Sequence, residues 1–143
     1  MSKPDPALLD PARYPFSCQI PSRYGDLDPN GHINNVAMTG ILEDARLRIL
    51  LACAPEHSLG DWRIMTVSLS VTYLGQGYYP QPVEVMGGFT ALGRSSFTMV
   101  QYARQGERAV AHAQTVLVWV ADGHAAPLPE AFRSALHTYM IRA

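Results

Sequence analysis

The chain has 143 residues, of which 48% are hydrophobic and 16% charged, with 11 basic and 12 acidic side chains and a formal net charge of -1. This length and composition exclude wholesale disorder and fit one domain with a substantial core. The balanced charge argues against nucleic acid, no apolar run approaches the roughly 20 residues of a membrane helix, and two cysteines do not make a disulfide scaffold. We therefore expect a cytoplasmic protein that binds neither nucleic acid nor membranes.

The first elements are a lead-in, a strand and a turn-rich segment. Residues 1–14 are proline-rich and lack an apolar signal-peptide core, so we interpret them as a flexible lead-in to a single domain over 15–143. A loose mixture of apolar and polar residues over 15–24 indicates a first strand. Residues 25–35 read GDLDPNGHINN, a dense run of turn formers in which Asn34 or Asn35 is the expected N-cap of a helix.

A long helix is predicted from 36 to about 53, because apolar residues recur at helical spacing with a wide arc that indicates burial. The residues that carry this pattern are Met38, Ile41, Leu42, Ala45, Ile49 and Ala52. From residue 66 the apolar residues recur at every second position instead. Val67, Leu69, Val71 and Tyr73 alternate with serine and threonine, which predicts a half-buried strand.

Three more strands are predicted over 83–91, 96–102 and 109–120, each bounded by a short turn. A short C-terminal helix follows Pro127, with Ala131, Ala135 and Tyr139 on one side. One strand, one long helix and about four antiparallel strands predict an α+β fold in which the sheet packs on the helix.

The polar segment ahead of the long helix is the clearest candidate site. Asp28 lies a few residues before the helix N-terminus, where unpaired backbone N–H groups and the positive end of the helix dipole can polarise a carbonyl. A carboxylate beside such donors is a minimal acyl-transfer site. The same residue types are also the commonest turn formers, so the residues alone leave a purely structural role open.

Two motifs taken together favour a catalytic role for this segment over a purely structural one. The stretch RYGDLDPNGHINN at 23–35, followed by EDAR at 43–46, resembles the acyl-CoA thioesterases of the 4-hydroxybenzoyl-CoA thioesterase type. The likeness runs from about 16 to 120 and includes LGRSSF at 92–97. It implies the hotdog fold, an antiparallel sheet of about five strands wrapped around one long helix. The order of elements derived above agrees with that fold.

The resemblance implies roles for the residues of the loop. Asp28 would be the catalytic carboxylate, acting as nucleophile or as general base on water, and aspartates are ionised at neutral pH. Backbone N–H groups at about Asn35 and Val36 would hold the thioester oxyanion, and Gly31 would let the backbone approach the substrate closely. His32 would line the site, brace the loop or transfer a proton.

The resemblance also implies substrate contacts, at Asn34, Val36, Met38, Glu43, Arg94, Ser95 and Ser96. Asn34 would line the site or hold the loop, and Met38 would line an acyl channel. Glu43 can face the site, but a structural ion pair with Arg46, three residues along the helix, is favoured. The segment 94–96 would contact the phosphates and pantetheine of coenzyme A, although an ordinary polar hairpin corner explains it equally well.

We therefore predict an acyl-CoA thioesterase that needs no metal and no cofactor beyond the coenzyme A of its substrate. Aliphatic residues stand on the first helical turns where many family members have aromatic ones, which favours a fatty acyl group. Two alternatives stay open. One is a hotdog enoyl-CoA hydratase or dehydratase, whose motif resembles Gly-Asp-x-Asn-Pro-x-His, although this chain has Asp28 at the asparagine position. The other is a protein that binds acyl-CoA without turning it over.

Oligomerisation is expected on two grounds. A curved sheet wrapped around one helix leaves edges that need cover. Family members pair their sheets edge to edge and form the site between subunits. The resemblance therefore implies a homodimer, or a dimer of dimers such as a homotetramer, with the active site at the subunit interface.

Overall fold

The computed structural model describes residues 3–54 and 63–143. Strand β1 spans Phe16–Ile20 and is followed by the long helix α1, Asn35–Cys53. The strands after it are β2 (Ile64–Tyr73), β3 (Val83–Leu92), β4 (Ser96–Gln105), β5 (Arg108–Ala121) and the two-residue β6 (His124–Ala125). Helix α2, Glu130–Thr138, lies near the C-terminus.

The strands form one antiparallel sheet in the order β1-β3-β4-β5-β2, with β6 paired to β5. Helix α1 lies against the sheet and contacts β3, β1 and β4. The α+β architecture predicted from the sequence, one long helix held by an antiparallel sheet, is confirmed. Within the described residues, no helix combines the length and apolarity needed to cross a membrane.

Two clusters of the core lie at the two ends of α1. Met38 and Leu42, from the first half of the helix, pack with Val83, which opens β3. Ile49, from the second half, packs with Phe97 at the start of β4. A helix of 19 residues is about 28 Å long at 1.5 Å per residue, so these two ends are far apart.

Strand β2 is an outer strand of the sheet, and its side chains are more exposed than the sequence predicts. Residues 65–70 are all exposed, with Val67 at 58% and Leu69 at 40%. A register shift between Thr66 and Ser68 interrupts the strict alternation, and beyond β2 the sheet has no further strand to cover it among the described residues. The strand is confirmed, whereas the prediction that it is half-buried is wrong for most of its length.

Helix α2, predicted after Pro127, is held on the core by two of its side chains. Phe132 and Leu136, four residues apart, are buried, while Ala131 is exposed. Phe132 contacts Phe97 and Trp119, with ring centroids 5.5 Å and 5.2 Å away. The large aromatic ring therefore decides which side of this short helix faces the core, because it gains more from burial than alanine does.

The N-terminal lead-in lies against the sheet. Residues 6–9 and 11–13 form short 3-10 helices, and the buried Tyr14 donates a hydrogen bond of 2.6 Å from its hydroxyl to the Leu8 carbonyl. Tyr14 also packs with Tyr102 of β4. Whether residues 1–14 are flexible in solution stays a prediction.

Candidate active site

The loop before α1 folds back on itself around Asp28. The Asp28 carboxylate oxygen Oδ1 accepts hydrogen bonds from the backbone N–H groups of Asn30, at 2.9 Å, and His32, at 3.0 Å. The Asp28 N–H donates to the His32 carbonyl at 2.8 Å. Within the described residues, the second carboxylate oxygen, Oδ2, accepts no hydrogen bond. One oxygen thus shapes the loop, and the other is unpaired within the described residues.

Gly31 makes the turn back possible. Its φ of +81° lies in the left-handed region, which other residues adopt only at a cost of roughly 1–2 kcal/mol. A Cβ atom at this position would meet nothing within 4 Å, so the constraint is on the backbone and not on space. The open space beside Gly31 is consistent with the close approach of a substrate that was predicted there.

Asn34 caps the helix, as predicted. Its side-chain oxygen accepts from the Ala37 N–H at 2.7 Å, and its side-chain nitrogen donates to the Asp26 carbonyl at 2.9 Å. The cap leaves the N–H groups of Asn35 and Val36 without a hydrogen-bond partner in the described part of the chain. These two donors are the ones predicted to form an oxyanion hole, and Val36 is 84% exposed.

Replacing the cap is expected to destabilise the protein measurably. In Asn34→Ala, both side-chain hydrogen bonds are lost, and the free energy of unfolding should fall by about 1–2 kcal/mol. Urea denaturation followed by circular dichroism measures this change. Asn34→Asp is the matched control, because it keeps the oxygen acceptor for Ala37 but cannot donate to the Asp26 carbonyl, so it should recover part of the loss. Equal stability of Asn34→Ala and the wild type would contradict the capping role.

Asp26 is a structural residue. It is 3% exposed, and its carboxylate accepts from the Arg23 guanidinium at 2.8 Å and from the Arg23 N–H at 3.0 Å. The hydrogen-bonded Arg23 side chain holds the pKa of Asp26 below its usual range, so the carboxyl stays ionised. With its carboxylate fully engaged by Arg23, Asp26 braces the loop.

A second loop, residues 74–82, supports the Asp28 loop and was not identified from the sequence as part of the site. The Ile33 N–H donates to the Gly77 carbonyl at 2.9 Å, and a Cβ at Gly77 would come within 3.0 Å of the Ile33 side chain. The His32 ring meets the Tyr78 ring edge to face, with centroids 5.3 Å apart. The glycine and proline content of this segment indicated a turn, but a contact this distant in sequence has no local signal.

An open groove of about 1020 Å³ runs beside the start of α1. Its lining includes Asp26, Asn34, Asn35, Val36 and Ile41. Asp28 is not among the residues that line it. The predicted oxyanion donors therefore border a cleft wide enough for a ligand, while the candidate carboxylate lies outside its wall.

Other residues predicted to contact substrate lie elsewhere in the chain. Met38 is 2% exposed and belongs to the core. Arg94 and Ser95 lie in the turn from β3 to β4, and Ser96 is the first residue of β4. They are at the end of the sheet near the C-terminus of α1, about 30 Å along the ten-residue strand β4 from the end near Asp28. Within one chain, the structure does not bring these three residues to Asp28.

Glu43 points outward from the middle of α1. Its side chain is 75% exposed, and the Arg46 guanidinium lies 3.9 Å from it, at the long limit of an ion pair. Burial lowers the pKa of Arg46, whose side chain is only 9% exposed. Both residues line a second groove, of about 690 Å³, between α1 and β2. The favoured ion pair between Glu43 and Arg46 is therefore present, but at the distance limit.

No group of three His, Cys, Asp or Glu side chains converges as a metal-ligand set among residues 3–54 and 63–143. The two cysteines, Cys18 and Cys53, are both free.

Residues 22–136 match the thioesterase-like superfamily. Among solved structures, a thioesterase from Thermus thermophilus, complexed with coenzyme A and Zn, is 32% identical, with 87% of this chain and 93% of that chain covered and a TM-score of 0.80. A thioesterase-superfamily protein from Jannaschia sp. CCS1 is 27% identical over 96% of this chain and 92% of that one, with a TM-score of 0.79.

A 1,4-dihydroxy-2-naphthoyl-CoA thioesterase from Synechocystis shares the fold at 19% identity, with 85% of this chain and 95% of that chain covered and a TM-score of 0.74. No curated protein sequence matches this chain. The matched residues include the Asp28 loop, all of α1 and strands β2 to β5. The chain therefore belongs to the thioesterase-like superfamily, has the hotdog fold and is a thioester hydrolase.

Proposed function

We propose that this protein hydrolyses acyl-CoA thioesters to a free acid and coenzyme A, with Asp28 as the reacting carboxylate. The observation that carries the proposal is the arrangement of the loop and helix start. Asp28 keeps one oxygen free, and the unpaired N–H groups of Asn35 and Val36 follow it at the first helical positions. A nucleophile or base beside oriented backbone donors is what acyl transfer requires.

The reaction has two possible first steps. In the base-catalysed route, Asp28 accepts a proton from water as the water oxygen attacks the thioester carbonyl carbon. In the nucleophilic route, the carboxylate oxygen attacks that carbon itself, and water later hydrolyses the resulting anhydride. In both, the carbonyl oxygen becomes an oxyanion that accepts hydrogen bonds from Asn35 and Val36, and the C–S bond breaks to release coenzyme A thiolate, which takes up a proton.

Coenzyme A as the thiol portion is supported by the Thermus thermophilus relative, which is complexed with it. A fatty acyl group is favoured by the aliphatic residues of the first helical turns. Met38 and Leu42 lie in the core, so Val36 and Ile41, which line the groove, are the larger aliphatic side chains that an acyl group at the helix start would meet. That the enzyme needs no cofactor and works in the cytoplasm stays a prediction.

We further propose that two copies of the chain form the site. Arg94 can reach a substrate at Asp28 only from another copy, because one chain holds them at opposite ends. The exposed apolar side chains of β2, at Met65, Val67 and Leu69, offer the edge for such pairing. A dimer, or a dimer of dimers, would then carry two or four complete sites.

A panel of saturated acyl-CoA substrates tests the proposal. We expect thiol release, measured with a chromogenic disulfide, to depend on acyl chain length and to exceed hydration of crotonyl-CoA measured in parallel. Faster hydration than thiol release would favour the hydratase alternative. Coenzyme A thioesters that are bound and recovered intact after long incubation would favour a binding protein.

A further inference from the structure

Three exposed tyrosines near the Asp28 loop are not used by the hydrolysis itself: Tyr24 and Tyr79, whose rings are in contact, and Tyr78, which precedes Tyr79 in the chain. We call this group the tyrosine platform. The exposed fractions of Tyr24, Tyr78 and Tyr79 are 78%, 41% and 43%. Tyr24 meets Tyr79 edge to face, with ring centroids 6.2 Å apart, which leaves ring faces open to solvent. Single exposed aromatics are ordinary, but several together indicate a binding surface.

The tyrosine platform is continuous with the Asp28 loop. Tyr24 opens the short 3-10 helix that leads into the loop, only four residues before Asp28 in the chain. On the other side, Tyr78 touches the His32 ring, and the neighbouring Gly77 carbonyl accepts the Ile33 N–H. A substrate whose thioester carbon lies at Asp28 would therefore meet this surface with the part that extends away from the reacting bond.

The platform is held in place and carries a cation. The buried Gln105 side chain accepts from the Tyr78 N–H at 2.9 Å and donates to the Tyr78 carbonyl at 2.8 Å. The Arg108 guanidinium lies over the Tyr78 ring, 4.8 Å from its centroid, and donates to the Gln76 carbonyl at 3.0 Å and to Gln105 at 3.3 Å. These partners are neutral, and Arg108 has no ion pair among the described residues, so its positive charge is not cancelled.

We propose that the tyrosine platform and Arg108 bind the nucleotide end of a coenzyme A thioester. Open tyrosine faces stack with the adenine ring, and the guanidinium pairs with a phosphate. The inference rests on the proposed function and narrows its substrate class, because a carrier-protein thioester has a pantetheine arm without adenine. It also assigns nucleotide recognition to the chain that supplies Asp28, in addition to any contact made by Arg94 of another copy.

Tyr24→Ala tests the proposal with little risk to folding, since the ring is mostly exposed. We expect the KM for an acyl-CoA to rise about tenfold, as for loss of one stacked base, with kcat unchanged. The same acyl group on N-acetylcysteamine, which lacks the nucleotide, should be cleaved equally well by the variant and the wild type. Tyr24→Phe keeps the ring and should retain the wild-type KM.

Two results would overturn the proposal: an unchanged KM for acyl-CoA in Tyr24→Ala, or an equal loss on both thioesters, which would indicate damage to the loop. Calorimetry with free coenzyme A gives a readout that needs no turnover, and Tyr24→Ala should raise the Kd by the same factor. If the wild type binds free coenzyme A, Tyr24→Ala binds it more weakly, and the wild type cleaves no thioester, the proposed function alone is contradicted. A wild type that does not bind it would contradict the platform.

Discussion

Asp28→Asn is expected to lower kcat for acyl-CoA hydrolysis by about 10²- to 10⁴-fold, the range for removing a general base. The amide cannot accept a proton from water and is a poor nucleophile, so both routes considered for Asp28 fail. The fold should survive, because the Asn side-chain oxygen can still accept from the N–H groups of Asn30 and His32, as Oδ1 of Asp28 does. Initial rates at saturating substrate measure the effect.

The matched control is Asp28→Ala, which removes the loop hydrogen bonds as well as the chemistry. If Asp28→Asn has wild-type thermal stability and Asp28→Ala is less stable, the loss of activity in the first variant is chemical. A folded Asp28→Asn enzyme with undiminished turnover would refute the assignment of Asp28. Single-turnover hydrolysis in ¹⁸O-labelled water can distinguish the two routes, because attack by Asp28 followed by water at its own carboxyl carbon leaves label in the enzyme.

The second large effect is expected at the free edge of the sheet. Val67→Asp should convert a dimer to a monomer and lower kcat by on the order of 100-fold, the loss expected when site residues are displaced. Val67 lies near the middle of β2 and is 58% exposed. In a two-fold interface between β2 edges, the new carboxylates of the two copies would face each other near the axis and repel.

Light scattering across a concentration series, with activity measured on the same samples, tests this prediction. Thr90→Asp is the control, since Thr90 is an exposed position on β3, away from the β2 edge, and the charge change is the same. It should leave mass and activity as in the wild type. A clean monomer of Val67→Asp with full activity would show that one chain is sufficient for catalysis and would end the shared-site proposal.

Local patterns in the sequence predicted most of the secondary structure. Apolar residues at helical spacing predicted a helix from 36 to about 53, and the structure has it at Asn35–Cys53. The turn-forming and helix-capping residues around Asn34 predicted the helix start, because capping depends on side chains within three residues of the cap. Strand boundaries differ by a few residues, and β6 was not predicted, since two residues are too few to show a period.

Burial was predicted less well where it depends on neighbours. The alternation in β2 is that of a half-buried strand, yet the strand lies at the edge with its side chains exposed. Ala131 was grouped on one side of the short helix with Ala135 and Tyr139, yet it is exposed while the other two are partly buried. Both differences arise because sequence periodicity shows which residues share a face, but not whether another element covers that face.

The sequence by itself determined the α+β class and placed a candidate carboxylate ahead of a helix, through the order of its periodic segments and the motif from Arg23 to Arg46. Those properties are carried by residues close together in the chain. Only the tertiary structure decided that Tyr78 and Arg108 support the Asp28 loop and that Arg94 lies at the opposite end of the same chain. Strand order in the sheet sets these distances, and strand order depends on long-range pairing that no local pattern encodes.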